Sequence, residues 1–350
     1  MAAPRFWWRR AGLASALLSP IGAVVGAIAV RRMGRDGGRV GVPVICVGNP
    51  TVGGAGKTPT AIAILARLTA QGARPFALLR GHGGSLRGPL RVDPALHGAA
   101  EVGDEALLLA RHAPTIVAGG DRLGGALLAV AGGASHIIMD DGFQNPSLHK
   151  DVSLLVVDAA VGVGNGCILP AGPLRAPLAP QLAQADAVLL VGEGSAGEAV
   201  AGAAHAAGIA VLRGRLAPDP AGIEALRGQP LVAFAGIGRP EKFFATLEAG
   251  GLHLAERRAF VDHHPYSVRE LEDLAAAATK AGARLVTTQK DMARLSPPAF
   301  ATLRENIATL AVTLTLEAPQ ALDTLISRAG ARCAARETAA SGAAPSGARG

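Results

Sequence analysis

Cysteine is nearly missing from this chain. Cys46, Cys167 and Cys333 are odd in number, far apart and never in a C-x-x-C pair. That spacing excludes a disulfide framework and a cysteine zinc site, and it fits a reducing cytosol. The histidines show no H-E-x-x-H spacing, so no structural metal is expected. Aromatic residues are equally scarce at 3%, while hydrophobic residues make up 49% and are dominated by Ala, Val and Leu. Short apolar runs alternating with alanine-rich stretches point to α/β layers. Acids are missing from the beginning of the chain: in residues 1–40 Asp36 stands alone against Arg5, Arg9, Arg10, Arg31, Arg32, Arg35 and Arg39, a net +6. The overall charge is +7, so the remaining 310 residues carry only +1. A nucleic-acid binder spreads its basic surface over the folded domain, so no nucleic-acid partner is expected. There is no internal repeat.

The most informative stretch is Val42 to Thr60, an apolar, β-branched run that empties into glycines and ends in Gly56-Lys57-Thr58. It reads as a buried strand followed by a loop whose backbone N–H groups can close around a phosphate. Ile62, Leu65 and Leu68 follow at helical spacing and Gly72 ends the pattern, so the loop opens a helix whose N-terminal end also favours an anion. Pro59 suits the first helical turn. Thr51, Val52, Gly53, Gly54, Ala55, Gly56, Lys57, Thr58 and Pro59 are thus the candidate ATP-binding segment. In it Lys57 reaches the β/γ-phosphates and the Thr58 hydroxyl meets the accompanying Mg2+. Thr51 stands where the usual phosphate-loop pattern has glycine, and Gly53 and Gly54 supply the flexibility instead.

His136 to Met139 reads as a strand ending in Asp140-Asp141-Gly142-Phe143-Gln144. A carboxylate at the tip of a buried strand is where phosphate-loop enzymes hold magnesium or its water, which makes Asp140 and Asp141 candidate metal ligands beside Thr58. Further strands are expected at 75–79, 115–118, 152–157, 187–191, 210–212, 231–235, 284–288 and 311–316. Arg80 to Gly84 forms a second glycine-rich loop, placed to touch substrate in an open α/β sheet. On its own, Asp104 in Gly103-Asp104-Glu105 reads as a helix cap rather than a catalyst. Asn165 to Arg175 is too rich in Pro and Gly for a helix.

The twenty residues Ala11 to Val30 carry no charge and would make a helix about 30 Å long. A cleaved signal peptide would put the nucleotide site outside the cytosol, and arginines at both ends leave a spanning helix unoriented. A helix lying in the membrane interface, with Phe6, Trp7 and Trp8 at headgroup depth and arginines on anionic lipid, suits the pattern better. Pro20 should kink it. The expected organisation is a membrane-associated arm (1–40), a phosphate-loop domain (41–228), a smaller α/β domain (229–330) and a disordered tail (331–350).

Taken in order, Val47 to Pro59, Arg80 to Gly84, Gly103 to Glu105, Asp140 to Gln144, Asn165 to Arg175, Gly236 to Phe244, Asp262-His263 and Thr288 to Asp291 resemble the lipid A 4′-kinase family. The resemblance spans roughly residues 5 to 325. It implies a P-loop-type parallel-sheet domain beside a smaller α/β domain, with ATP in the cleft between them. It also implies transfer of the γ-phosphoryl group to the 4′-hydroxyl of an acylated glucosamine disaccharide 1-phosphate, by a monomer on the cytoplasmic face of the inner membrane. Lys57 and Thr58 match the nucleotide and Mg2+ contacts, Asp140 and Asp141 the paired acids, and Gln144 a further nucleotide contact. Asp104 is implied to pair with His263 as the catalytic couple; without the resemblance His263 and His264 could not be told apart. His82 and Asn145 stand where tyrosine and histidine are usual. Two rivals remain: a GTPase, because Thr288-Gln289-Lys290-Asp291 resembles a guanine-recognition pattern, and a non-enzymatic, nucleotide-gated membrane partner.

Overall fold

The computed structural model describes residues 4–342. Eight strands come first in the chain: β1 (Val44–Gly48), β2 (Pro75–Leu79), β3 (Leu90–Arg91), β4 (Thr115–Val117), β5 (His136–Asp140), β6 (Val152–Asp158), β7 (Ala187–Val191) and β8 (Ala210–Pro218). With β13 (Val312–Leu316) they build one nine-stranded sheet in the order β13-β8-β7-β6-β1-β5-β2-β4-β3. Only the outer strands β13 and β3 run antiparallel to their neighbours. Every residue of β1, β2, β6 and β7 is buried, as strands covered on both faces require. One face packs under the helix Lys57–Ala70 through Ile64, Leu65 and Leu68; the other holds Phe76, Met139 and Phe143.

A second sheet contains β9 (Leu231–Ala235), β10 (Leu254–Ala259), β11 (Arg284–Thr288) and β12 (Ile307–Leu310), all parallel, in the order β10-β9-β11-β12. The chain then returns. Residues 312–316, expected in the smaller unit, pair antiparallel with β8 because their alternating side chains suit an edge of the large sheet. The helix Pro319–Gly342 follows and packs Leu322, Leu325, Ile326 and Ala329 on the large core, so the expected disorder from 331 does not hold as far as 342. Arg328, Arg332 and Arg336, four residues apart on that helix, meet Asp186 and Asp151. Residues 343–350 lie outside the described residues.

The arm is a helix, Leu13–Met33, that runs through Pro20 without interruption. Its buried positions are Ser15, Gly22, Gly26 and Met33. Gly22 and Gly26 let it lie close against Ile168 and Pro177, where added side chains would collide. Leu13, Leu17, Ile21, Val24 and Ile28 are left exposed.

Candidate active site

The carboxyl ends of β1, β5 and β6 lie side by side, with Val47 in register with Asp140. The loop after β1 is therefore built next to the acids after β5. Positive φ falls on Gly53 (104°) and on Gly56 (96°), the residue that caps the following helix. Thr51 takes no such angle: it bridges Leu174 in antiparallel fashion, while the Val52 N–H donates to the Pro173 carbonyl at 2.9 Å. The loop is thus braced by residues 173–174, and glycine at 51 is unnecessary. A side chain at Gly53 or Gly54 would meet nothing within 4 Å, so the cradle is open on that side. Lys57 is buried, with Nζ 3.3 Å from the Gly53 carbonyl and 3.9 Å from Asp141. Burial pulls its ammonium below the ordinary value, and Asp141 offsets part of that.

Asp140 and Asp141 have opposite environments. Asp140 is buried and neither carboxylate oxygen has a hydrogen-bond partner among the described residues. Burial, reinforced by the charge of Glu105, pushes its carboxyl up to about 7. Asp141 adopts a left-handed φ of 55°, which turns its side chain onto Arg175 in a two-pronged pair at 2.6 and 3.0 Å. Although burial would raise the Asp141 carboxyl, Lys57 and Arg175 hold it down at about 2. An orphaned buried carboxylate beside a phosphate loop fits a hard divalent cation, with the buried Thr58 as second protein ligand. Of the two acids, Asp140 therefore has the free oxygens. Gln144 donates to the Asn49 carbonyl and to Gln181, both at 2.9 Å, and accepts from Arg175 at 3.3 Å. These bonds make it a brace for the start of the loop.

The second sheet brings its own carboxyl-end loops to this edge. Arg239 and Lys242 pair with Asp158 at the tip of β6. Lys290 pairs with Glu105 at 2.6 Å. His263, from the loop after β10, places Nδ1 3.2 Å from Asp104 Oδ2 at the start of the helix Asp104–Ala110, so two residues from different units meet. A left-handed φ of 57° at His263, with its N–H donating to the Gly236 carbonyl at 3.0 Å, turns the ring towards Asp104. Asp104 is buried, and burial alone would raise its carboxyl. The hydrogen bond to His263 and the charges of Lys290 and Arg294 outweigh that and hold it well below the usual carboxylate range. The same hydrogen bond raises the His263 imidazole. His264 turns away to Glu270 at 2.9 Å, which settles which of the adjacent histidines faces Asp104. His82 meets the His263 ring edge-on, with centroids 5.6 Å apart.

Asp291 is fully buried. It accepts from the Gly236 N–H, the Tyr266 hydroxyl and Thr288, so the guanine-like pattern is spent on folding the second unit rather than on a base. Four participants were not assigned roles from the sequence: Glu105, Arg175, Lys290 and Arg294. Lys290 and Arg294 lie four apart after a Thr288 cap, and that spacing on one helix face was the available signal. Asn145 closes a turn by accepting from Ser147.

The LpxK family model, tetraacyldisaccharide-1-P 4′-kinase, matches residues 14–330. A tetraacyldisaccharide 4′-kinase of Xanthobacter autotrophicus is 71% identical over 343 residues, spanning 97% of this chain and 100% of that one. One of Azorhizobium caulinodans is 57% identical over 334 residues, spanning 95% and 98%. An LpxK of Aquifex aeolicus, crystallised in complex with ATP, superimposes with a TM-score of 0.69 at 26% identity, over 90% of this chain and 99% of its own. With the match running from the arm helix to the C-terminal helix, the chain belongs to the tetraacyldisaccharide 4′-kinase family.

Proposed function

We propose that this chain transfers the γ-phosphoryl group of ATP to the 4′-hydroxyl of an acylated glucosamine disaccharide 1-phosphate, with Asp104 and His263 as the couple that activates the hydroxyl. The observation that carries this reading is the 3.2 Å contact between Asp104 and His263, residues of different units that meet beside the phosphate loop. Glu105, next to Asp104, lies close enough to Lys57 and Asp140 to bias their charges.

A sugar hydroxyl is a weak nucleophile at neutral pH, and the triphosphate repels it until its charge is neutralised. Lys57 and the N–H groups of residues 53–58 supply fixed positive charge to the phosphates. Thr58 and Asp140 are the residues that would hold magnesium, which would supply further neutralisation of the phosphate charge. Arg175 keeps Asp141 ionised beside Lys57, which favours the charged form of the lysine. His263 donates its Nδ1 hydrogen to Asp104, leaving Nε2 to take the hydroxyl proton as the oxygen attacks phosphorus.

The arm supports delivery from a bilayer surface. Its small-residue face is already used on the catalytic unit, and Leu13, Leu17, Ile21, Val24 and Ile28 are exposed in a stretch with three arginines before it and four after it in the sequence. A helix docked along one side in this way favours an interfacial over a detached, spanning arrangement. Because ATP is the donor, the cytoplasmic face is the side proposed, and a monomer holds every residue invoked. The test is incubation of purified protein with labelled ATP and vesicles containing the disaccharide 1-phosphate. A 4′-phosphorylated lipid, formed with ATP in preference to GTP, is expected; nucleotide binding without labelled lipid would overturn the proposal in favour of a nucleotide-gated switch.

A further inference from the structure

The geometry points to Arg294 as a positioning residue for the base: its guanidinium ties Asp104 in one unit to the backbone that orients His263 in the other. Nε donates to Asp104 Oδ2 at 2.8 Å and Nη2 bonds the same oxygen. Nη1 donates to Asp291 Oδ1 at 2.7 Å and to the Gly236 carbonyl. That carbonyl also accepts the His263 N–H, the bond that accompanies the strained φ at His263. One planar fork therefore holds Asp104 directly and the His263 backbone through the shared Gly236 carbonyl, and its side chain is only 7% exposed. A lysine cannot reproduce this, since three directions from one plane are needed.

The arrangement has a purpose that packing alone does not require. Asp104 is contributed by a helix of the first unit and His263 by a loop of the second, so the base exists only when the two units are seated on each other. The seat is made by the helix Gln289–Arg294, where Lys290 holds Glu105 and Arg294 holds Asp104. Arg294 also sets the charge around His263. The groups facing that ring are Asp104 from the helix Asp104–Ala110, Arg294 from the seating helix, Asp262 beside it in its own loop, and His82 edge-on from the loop after β2. Two carboxylates favour the imidazolium, and Arg294 is the cation that opposes them. Removing its charge should raise the His263 pKa further, so that a larger share of the base is protonated at neutral pH.

The inference rests on the proposed role of Asp104 and His263, and its test keeps the two apart. Turnover is measured against pH for wild type, R294Q and R294K, with D104N and H263A as references and ATP affinity measured for each. R294Q is expected to lose about tenfold or more in kcat with ATP affinity nearly unchanged, and to move the acidic limb of kcat upward by about half a pH unit or more. R294K, which retains the charge without the fork, should lose kcat while its acidic limb stays at the wild-type pH. Should R294Q not fold, the R294K result decides. Wild-type turnover in R294K, or a folded R294Q whose limb has not moved, would overturn the positioning role. Near-normal turnover in D104N and H263A would instead overturn the base assignment beneath it.

Discussion

Asp104 is buried between two cations and one imidazole, so its loss and that of His263 should read out differently. Asp104→Asn leaves the Arg294 charge buried beside a neutral amide and is expected to cost about 3 kcal/mol of stability, visible as a lower Tm. His263→Ala removes a side chain that is 38% exposed and should lower Tm less than Asp104→Asn does. Both should lower kcat by about a hundredfold or more at constant ATP affinity. The pH dependence follows from the same contacts. With its imidazole raised above the ordinary 6.5, His263 accepts a proton from solvent sooner, so turnover should fall as pH drops through a value above 6.5. Its ion pair stabilises the fold fully below the unfolded-state value and loses that contribution as pH rises through the folded-state value. Asp104 works the other way: its carboxyl is depressed, so its contribution is present above the ordinary 3.8 and disappears as pH falls through the folded value. Lys57 and Thr58 could be read from local spacing because a strand, a loop and a helix place them in one unit, and Asp140 because it ends a buried apolar strand. Asp104 alone looked like a cap. Nothing in the sequence near it records that a loop 159 positions later folds over it.

At the scale of elements, the segments legible in the sequence were those with buried, β-branched runs, such as β1, β6, β7 and β9. The strand β10 was missed because it reads Leu-Ala-Glu-Arg-Arg-Ala, an exposed edge whose pairing is set by the neighbouring β9. The return of β13 to the first sheet was likewise hidden, since strand pairing between distant segments leaves no local period. The helix Pro319–Gly342 was lost in an alanine-rich tail, although its arginines recur every four residues opposite Asp186 and Asp151. Arg336→Ala should cost about 3 kcal/mol, because it strips a partner from the buried Asp151. Arg332→Ala, at a side chain 49% exposed, should cost less than about 1 kcal/mol. Equilibrium denaturation of both variants checks the contrast. For the arm, Gly22→Leu would drive a side chain into the Ile168 carbonyl 3.0 Å away and the adjoining Ala171. Turnover of vesicle-borne substrate should then fall severalfold with ATP affinity unchanged; equal turnover on vesicles would show that docking of the arm is immaterial.

On the scale of the whole molecule, two sheets present their carboxyl edges to each other and are joined across the gap by charges: Asp158 with Arg239 and Lys242, Glu105 with Lys290, and Asp104 with Arg294 and His263. The phosphate loop belongs to one sheet and the proposed base to the other, so phosphoryl transfer is tied to their approach. The most direct test is a single-turnover measurement with ATP and the disaccharide 1-phosphate, comparing wild type with H263A at matched nucleotide occupancy. The structure predicts ATP dissociation constants within about twofold of each other and a transfer rate at least about a hundredfold lower in the variant. Equal transfer rates would contradict it.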